Sequence, residues 1–138
     1  MKRWNGWGDE KNNFGFELTK TSQNYIENIL GKSSPLPEIT LDEAIAKVPE
    51  SRSPQHSLIN TDAEVRLRHC RGQSIPDWIA THSGDFHTFP DGVAFPKTTA
   101  DVQVLLQFAK QENLIIIPYG GGTSVCGHIN PDENDRPI

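Results

Sequence analysis

Gly120, Gly121 and Gly122, followed by Thr123 and Ser124, form the segment of this 138-residue sequence whose chemistry is most readable. Consecutive glycines accept backbone angles closed to other residues, so successive N–H groups can turn toward one anion. Thr123 and Ser124 add hydroxyl donors, while Pro118 and Tyr119 shape the entry to the loop. The apolar run from Leu114 to Ile117 reads as a buried strand ending at Pro118, so the loop falls at a strand's carboxyl end, where open α/β sheets bind ligands. The pattern suits a diphosphate. A nucleoside triphosphatase would need a Lys after the glycines, and none follows. A dinucleotide fingerprint would need glycine where Val125 stands, and a helix directly behind it. Taken alone, the triplet also reads as a flexible turn with no ligand.

Other residues able to do chemistry are scattered. His56, His69, His82, His87 and His128 lack the paired spacing of a metal site, and they read as surface or hydrogen-bonded histidines. Cys126 reads as a small buried residue near the diphosphate, with a reactive thiol as the other reading. Arg66, Arg68 and Arg71 form a basic cluster. It suits a solvated surface or a domain contact, with a phosphate contact as the alternative. Trp4 and Trp7 read as anchors for an irregular N-terminal segment that also carries Phe14 and Phe16; stacking on a ligand is the alternative.

The elements that position these residues follow from caps and periodicity. Thr21 or Ser22 starts a helix with Tyr25, Ile26, Ile29 and Leu30 on one face, and Gly31 follows its end. Thr40 and Glu43 make a capping box for a helix from Leu41 to Val48. Residues 49–60 read as a connecting loop, after which Asn60 or Thr61 caps a helix through Val65, Leu67 and His69. Ser74 starts the next helix, with Pro76 and Asp77 in its first turn, Trp78 and Ile79 on its buried side, and Gly84 at its end. Asp91 and Gly92 signal a turn into the short strand Val93–Phe95. Thr98 caps a helix from Ala100 to Glu112, with Val102, Leu105, Leu106 and Ala109 inward and Asn113 closing it. Strand, helix and strand make a βαβ unit leading into the glycine loop. The last residues, 135–138, carry no cap or turn signal.

Composition narrows the function classes. The chain has 13 Lys and Arg against 18 Asp and Glu, a formal charge of −5, which argues against a nucleic-acid partner. No run approaches the ~20 apolar residues of a spanning helix, and two cysteines make no disulfide framework. With no secretory signal pattern at the start, a cytoplasmic location is expected.

The stretch from Asp91 to Val102, the helix after it, and Ile115 to Ser124 resemble the start of a flavin domain of the vanillyl-alcohol-oxidase (PCMH) type. Trp4-Asn5-Gly6-Trp7-Gly8 is similar to a signature of the alkyldihydroxyacetonephosphate synthases, as is the Arg-rich stretch Arg66 to Ser74. The chain is thereby identified as a member of the type-4 FAD-binding oxidase/transferase family, alkylglycerone-phosphate-synthase-like branch. The resemblance implies an α+β fold: a mainly helical extension over residues 1–84, then the first part of an FAD-binding domain over 85–138. It implies that Pro118, Tyr119, Gly120, Gly121, Gly122, Thr123 and Ser124 contact FAD. The contact is expected to be non-covalent, since Thr123 stands where members that attach flavin through this loop place a His. Family members are much longer, so the chain reads as an N-terminal fragment, inactive alone and binding FAD weakly or not at all, with no catalytic and no metal-binding residue of its own. The implied activity is exchange of an acyl for an alkyl group on dihydroxyacetone phosphate, as in ether-lipid synthesis. FAD-dependent oxidation of a 2-hydroxy acid is the alternative, and a non-enzymatic binding module is the alternative of another class. A small-molecule substrate is implied, and a homodimer and peripheral membrane contact are compatible with the family.

Overall fold

A computed structural model describes residues 3–11, 17–135 and 137–138. The expectations for Phe14 and Phe16 lie outside these residues. Five helices and two short strands follow in the order α1 (Lys20–Leu30), α2 (Leu41–Ile45), β1 (Ile59–Asn60), α3 (Ala63–Arg68), α4 (Ile75–Ser83), β2 (Val93–Ala94) and α5 (Thr99–Glu112).

Side-chain caps set most of these boundaries. Thr40 Oγ1 accepts from the Glu43 N–H at 3.3 Å, while Glu43 returns a carboxylate oxygen to the Thr40 N–H at 2.8 Å. Ser74 with Asp77 and Thr98 with Asp101 repeat the box at the starts of α4 and α5. Gly84 and Asn113 close those two helices in the left-handed conformation. At α1 the cap is Thr19, and at α3 it is Asp62, whose carboxylate takes the Val65 N–H at 3.1 Å. Thr19 lies two or three residues before the expected Thr21 or Ser22, and Asp62 one or two residues after the expected Asn60 or Thr61. α2 stops at Ile45, three residues short of the expected end.

Two of these caps predict how stability responds to acid. Backbone N–H donors of Lys97 and Thr98 hold the Asp101 carboxyl below its ordinary 3.8, and those of Thr40 hold Glu43 below 4.5. A depressed folded-state pKa stabilises the fold above the ordinary value, and the stabilisation is lost as pH falls through the folded value. Thermal midpoints are therefore expected to drop below pH 3.8. The D101N variant should show a flatter acid limb, and a limb parallel to wild type would refute the cap's role.

The core gathers Ala44, Leu67, Cys70, Phe86 and Phe89, with Trp4, Ile39, Leu41, Ile45, Val48 and Ala80 against it. Phe86 and Phe89 meet edge to face at 5.5 Å. α4 does not bury Trp78 and Ile79 as its pattern suggested. It buries Asp77 and Thr81 instead, because the Asp77 carboxylate is tied inward by Ser74 and by Asn130 Nδ2 at 2.7 Å. α5 buries Leu105 and Ala109, whereas Val102 and Leu106 stay exposed along an apolar cavity of about 340 Å³. No residue of α1 is buried, so its apolar stripe has no partner among the described residues.

The sheet differs from a simple strand–helix–strand pairing. β2 pairs antiparallel with β1 in the register Ile59 to Ala94 and Asn60 to Val93, within the stretch read as loop. Leu114–Pro118 is reduced to a parallel bridge between Ile115 and Pro137. Ile138 N–H donates to Ile115 O at 2.8 Å, Ile117 N–H to Ile138 O at 3.0 Å, and Asp91 N–H to Pro137 O at 2.7 Å. Residues 137–138 thus bond to both sides of the unit, and Pro137 is fully buried. They close the fold locally even though they carry no turn signal.

Candidate functional site

The glycine loop leaves the 115–117 segment at Pro118 and is clamped from the helical side. Gln73 N–H donates to Ser124 O at 2.6 Å, Gly72 N–H donates to Asn130 Oδ1 at 3.1 Å, and Asn130 Nδ2 reaches Asp77 Oδ1. A Cβ at Gly72 would run into the carbonyl oxygen of Ser124, so the two backbones touch only because residue 72 has no side chain. Tyr119 turns back over the loop. Its ring lies 4.8 Å from that of His69, its hydroxyl donates to Arg68 O at 3.4 Å, and burial raises its phenol pKa. Gly122 sits under that hydroxyl with φ 70°, where a Cβ would strike the ring.

The structure therefore places the seven sequence-predicted residues in one continuous turn, with Gly122 buried, Tyr119 and Ser124 half-buried, and Pro118, Gly120, Gly121 and Thr123 exposed. Beside the loop is a cavity of about 470 Å³, walled by Gly121, Gly122, Thr123 and Tyr119 on one side and by Trp4, Trp7, Arg68, Arg71 and Trp78 on the other. Trp78, expected on the buried side of its helix, lines this cavity, and its indole N–H donates to Gln73 Oε1 at 2.6 Å.

The basic cluster divides. Arg66 is not on a solvated surface: it is 2% exposed, with Nε on Pro90 O and Nη1 on Pro49 O, both at 2.7 Å. Burial forced that outcome, since a guanidinium out of water must find carbonyls or carboxylates. Arg68 pairs with Glu64 at 2.8 Å and Glu10 at 3.1 Å. Arg71 reaches Thr88 Oγ1 at 3.0 Å through Nη2, and its buried Nε has no partner. Cys126 is exposed rather than buried, because the chain turns outward after the loop. Trp4 packs on the core, and Trp7 is exposed. Among the described residues no three His, Cys, Asp or Glu side chains converge as metal ligands.

Whether a diphosphate fits can be judged from the donors. Among the described residues no protein acceptor takes the N–H of Gly120, Gly122, Thr123 or Ser124. A Cβ at Gly120 would meet nothing within 4 Å, so the space over the loop is open. Arg71 lines the cavity beside Gly121, Gly122 and Thr123, with its Nε buried. Unspent amides, open space and a nearby guanidinium are the chemistry that a diphosphate requires.

Residues 90–135 match the model of the FAD binding domain. The matched segment contains β2, α5 and the whole glycine loop, and FAD is the cofactor of the domain type. Across 99% of its length the chain is 27% identical to an alkyldihydroxyacetonephosphate synthase of Trypanosoma brucei brucei, of which it covers 27%. It is 40% identical to the D-2-hydroxyglutarate dehydrogenase of Escherichia coli K12, over 36% of the chain and 5% of that protein. A solved alkyldihydroxyacetonephosphate synthase superposes with a TM-score of 0.74 over 99% of the chain and 30% of that protein, at 22% identity. The mixed helix and small-sheet fold is thus that of the corresponding part of the synthase. The chain spans less than a third of the length of these relatives.

Proposed function

We propose that residues 118–124 hold the diphosphate of a non-covalently bound FAD, in an enzyme of the alkyldihydroxyacetonephosphate-synthase type. The observation that carries this reading is the set of N–H groups at Gly120, Gly122, Thr123 and Ser124 that no protein acceptor takes among the described residues, with open space at Gly120 and with Arg71 lining the cavity beside Gly122 and Thr123. FAD, when bound, supplies the ring at which group exchange or substrate oxidation takes place. The chain's own residues bind and orient. Backbone amides and the Thr123 and Ser124 hydroxyls donate to phosphate oxygens, Arg71 offsets their charge, and the Tyr119 ring packs against Gly122. Thr123 offers no ring nitrogen for attachment to the flavin, so this loop holds the cofactor non-covalently. Acyl-to-alkyl exchange on dihydroxyacetone phosphate is preferred to 2-hydroxy-acid oxidation because similarity to the synthase runs through 99% of the chain, and to the dehydrogenase through 36%. The substrate-handling groups belong to the part of the relatives that this chain does not span, so the chain alone is expected to bind FAD weakly and to turn nothing over.

Amide spectra of the ¹⁵N-labelled chain titrated with FAD test the cradle at low affinity. Gly120 to Ser124 should shift with FAD and not with riboflavin, which has no phosphate. G122A should weaken the response about tenfold, near 1.4 kcal/mol, because a Cβ in the left-handed region costs about 1–2 kcal/mol and displaces Tyr119. Riboflavin and FAD shifting the same amides equally would refute the diphosphate assignment.

A further inference from the structure

Two residues beyond the FAD loop, three nucleophilic or basic side chains meet at one atom. Cys126 Sγ lies 3.1 Å from His128 Nδ1, Ser124 Oγ lies 3.2 Å from the same nitrogen, and sulfur and hydroxyl are 3.9 Å apart. Gly127, with φ 72°, brings His128 back toward Cys126, and the turn is closed by Asn130 N–H on Gly127 O at 3.0 Å. Cys126 and His128 are both exposed, so a reagent can reach the sulfur from solvent. A thiol with a ring nitrogen in hydrogen-bond reach has the layout of an activated nucleophile, and the Ser124 hydroxyl shares that nitrogen. The other thiol is its opposite. Cys70 is 1% exposed inside the core, and burial pushes it up to about 12.

We propose that Cys126 is a thiol-exchange site that takes low-molecular-weight disulfides, with His128 as its base. His128 Nδ1 receives the thiol proton, and the resulting thiolate attacks one sulfur of R–S–S–R. The S–S bond breaks as the Cys126–S–S–R bond forms, and R–S⁻ leaves to be protonated by the imidazolium or water. The Cys126 sulfur is oxidised to the mixed disulfide and the departing sulfur is reduced to a thiol, so electrons balance without another reagent. Two contacts lower the Cys126 thiol from its ordinary 9.0: first His128, then Ser124. The charged group on the element packed against this turn is Asp77 of α4, already held by Ser74 and Asn130. Further along the chain, Asp132 accepts the Asn134 N–H at 3.4 Å. The proposal rests on the Cys126–His128 pair, which the FAD reading does not use; the Ser124 hydroxyl is shared with that reading.

The test is incubation of the full chain with glutathione disulfide, read by intact mass and peptide mapping from neutral to alkaline pH. One glutathionyl adduct is expected, mapping to Cys126 and absent in C126S. In H128Q the rate at neutral pH should fall about threefold, since the gain from more thiolate is partly offset by its weaker nucleophilicity. The midpoint of the rate profile should then move up toward that of an ordinary thiol. A circular-dichroism spectrum of H128Q matching wild type keeps the comparison meaningful. The proposal is overturned by no adduct, by adducts shared equally with Cys70, or by an H128Q profile that overlays wild type.

Discussion

Valine at position 72 is expected to detach the glycine loop from the helical region and to abolish the FAD response of its amides. A Cβ at residue 72 overlaps the carbonyl oxygen of Ser124 and comes within 3.2 Å of Asp77 Oδ2. The first of these neighbours is backbone and cannot swing aside. Relief requires the two chains to part, which removes the Gln73 N–H to Ser124 O bond at 2.6 Å and strains the Gly72 N–H bond to Asn130. Overpacking costs typically 1–3 kcal/mol, and a lost backbone bond about 1 kcal/mol more. A fall of about 3 kcal/mol in denaturant-derived stability is expected, together with loss of the FAD-induced shifts at Gly120 to Ser124. G120A is the control, since its Cβ meets nothing within 4 Å, and it should leave stability nearly unchanged. If G72V unfolds at the wild-type midpoint and keeps its FAD shifts, the clamp between the two segments plays no part in holding the loop.

That clamp also shows where sequence reading stops. Helix starts were legible because a cap is a local device. Thr40 with Glu43 acts across three residues and stands where its spacing placed it, and Ser74 and Thr98 start their helices as expected, whereas the caps of α1 and α3 fall at Thr19 and Asp62. The inward faces were less legible, because which side of a helix is buried depends on distant chain. α4 turns Asp77 inward because Asn130, 53 residues away, is there to receive it. The Ile59–Asn60 strand has two residues, too short for any alternation to show. Pro137 and Ile138 gave no signal of their own, and they are ordered by partners at 91, 115 and 117.

The candidate site was legible as a loop and illegible as a cavity. Glycine spacing marked the candidate anion-binding turn because a run of three glycines after an apolar segment is itself the chemical statement. The opposite wall is assembled from the segment near Trp7, the end of α3 and the start of α4, and no periodicity links these. Within Arg66 to Arg71 the residue type announced a cation but not its fate: Arg66 is sealed on two carbonyls, Arg68 is paired, and Arg71 keeps a spare nitrogen. The Cys126–His128 contact was open to a spacing argument, since the two are two residues apart around a glycine that takes φ 72°.

Removing the Asp91 carboxylate is expected to produce the other large effect. Asp91 is 2% exposed and takes four contacts from Arg52: its N–H at 3.0 Å, Nε at 3.1 Å to each oxygen, and Nη2 at 2.8 Å. It also lies near Arg66, whose two partners are neutral carbonyls, so Asp91 provides the negative charge that offsets a buried cation. In D91A, half-exposed Arg52 can return to water, but Arg66 is left uncompensated. Breaking a buried pair from one side costs about 3–5 kcal/mol, and the solvent access of Arg52 places the expectation near the lower end, about 3 kcal/mol. The Asp91 backbone bonds to Pro137 O and from Ser51 Oγ remain possible, so the fold should survive and the loss be measurable by denaturant titration. The diagnostic quantity is the coupling with Arg66. If the cost of D91A is a stranded charge, R66M should relieve part of it, and the double variant should be more stable than the two single costs sum to. Strictly additive costs would mean that Asp91 acts through Arg52 alone and that the carbonyls of Pro49 and Pro90 suffice for Arg66.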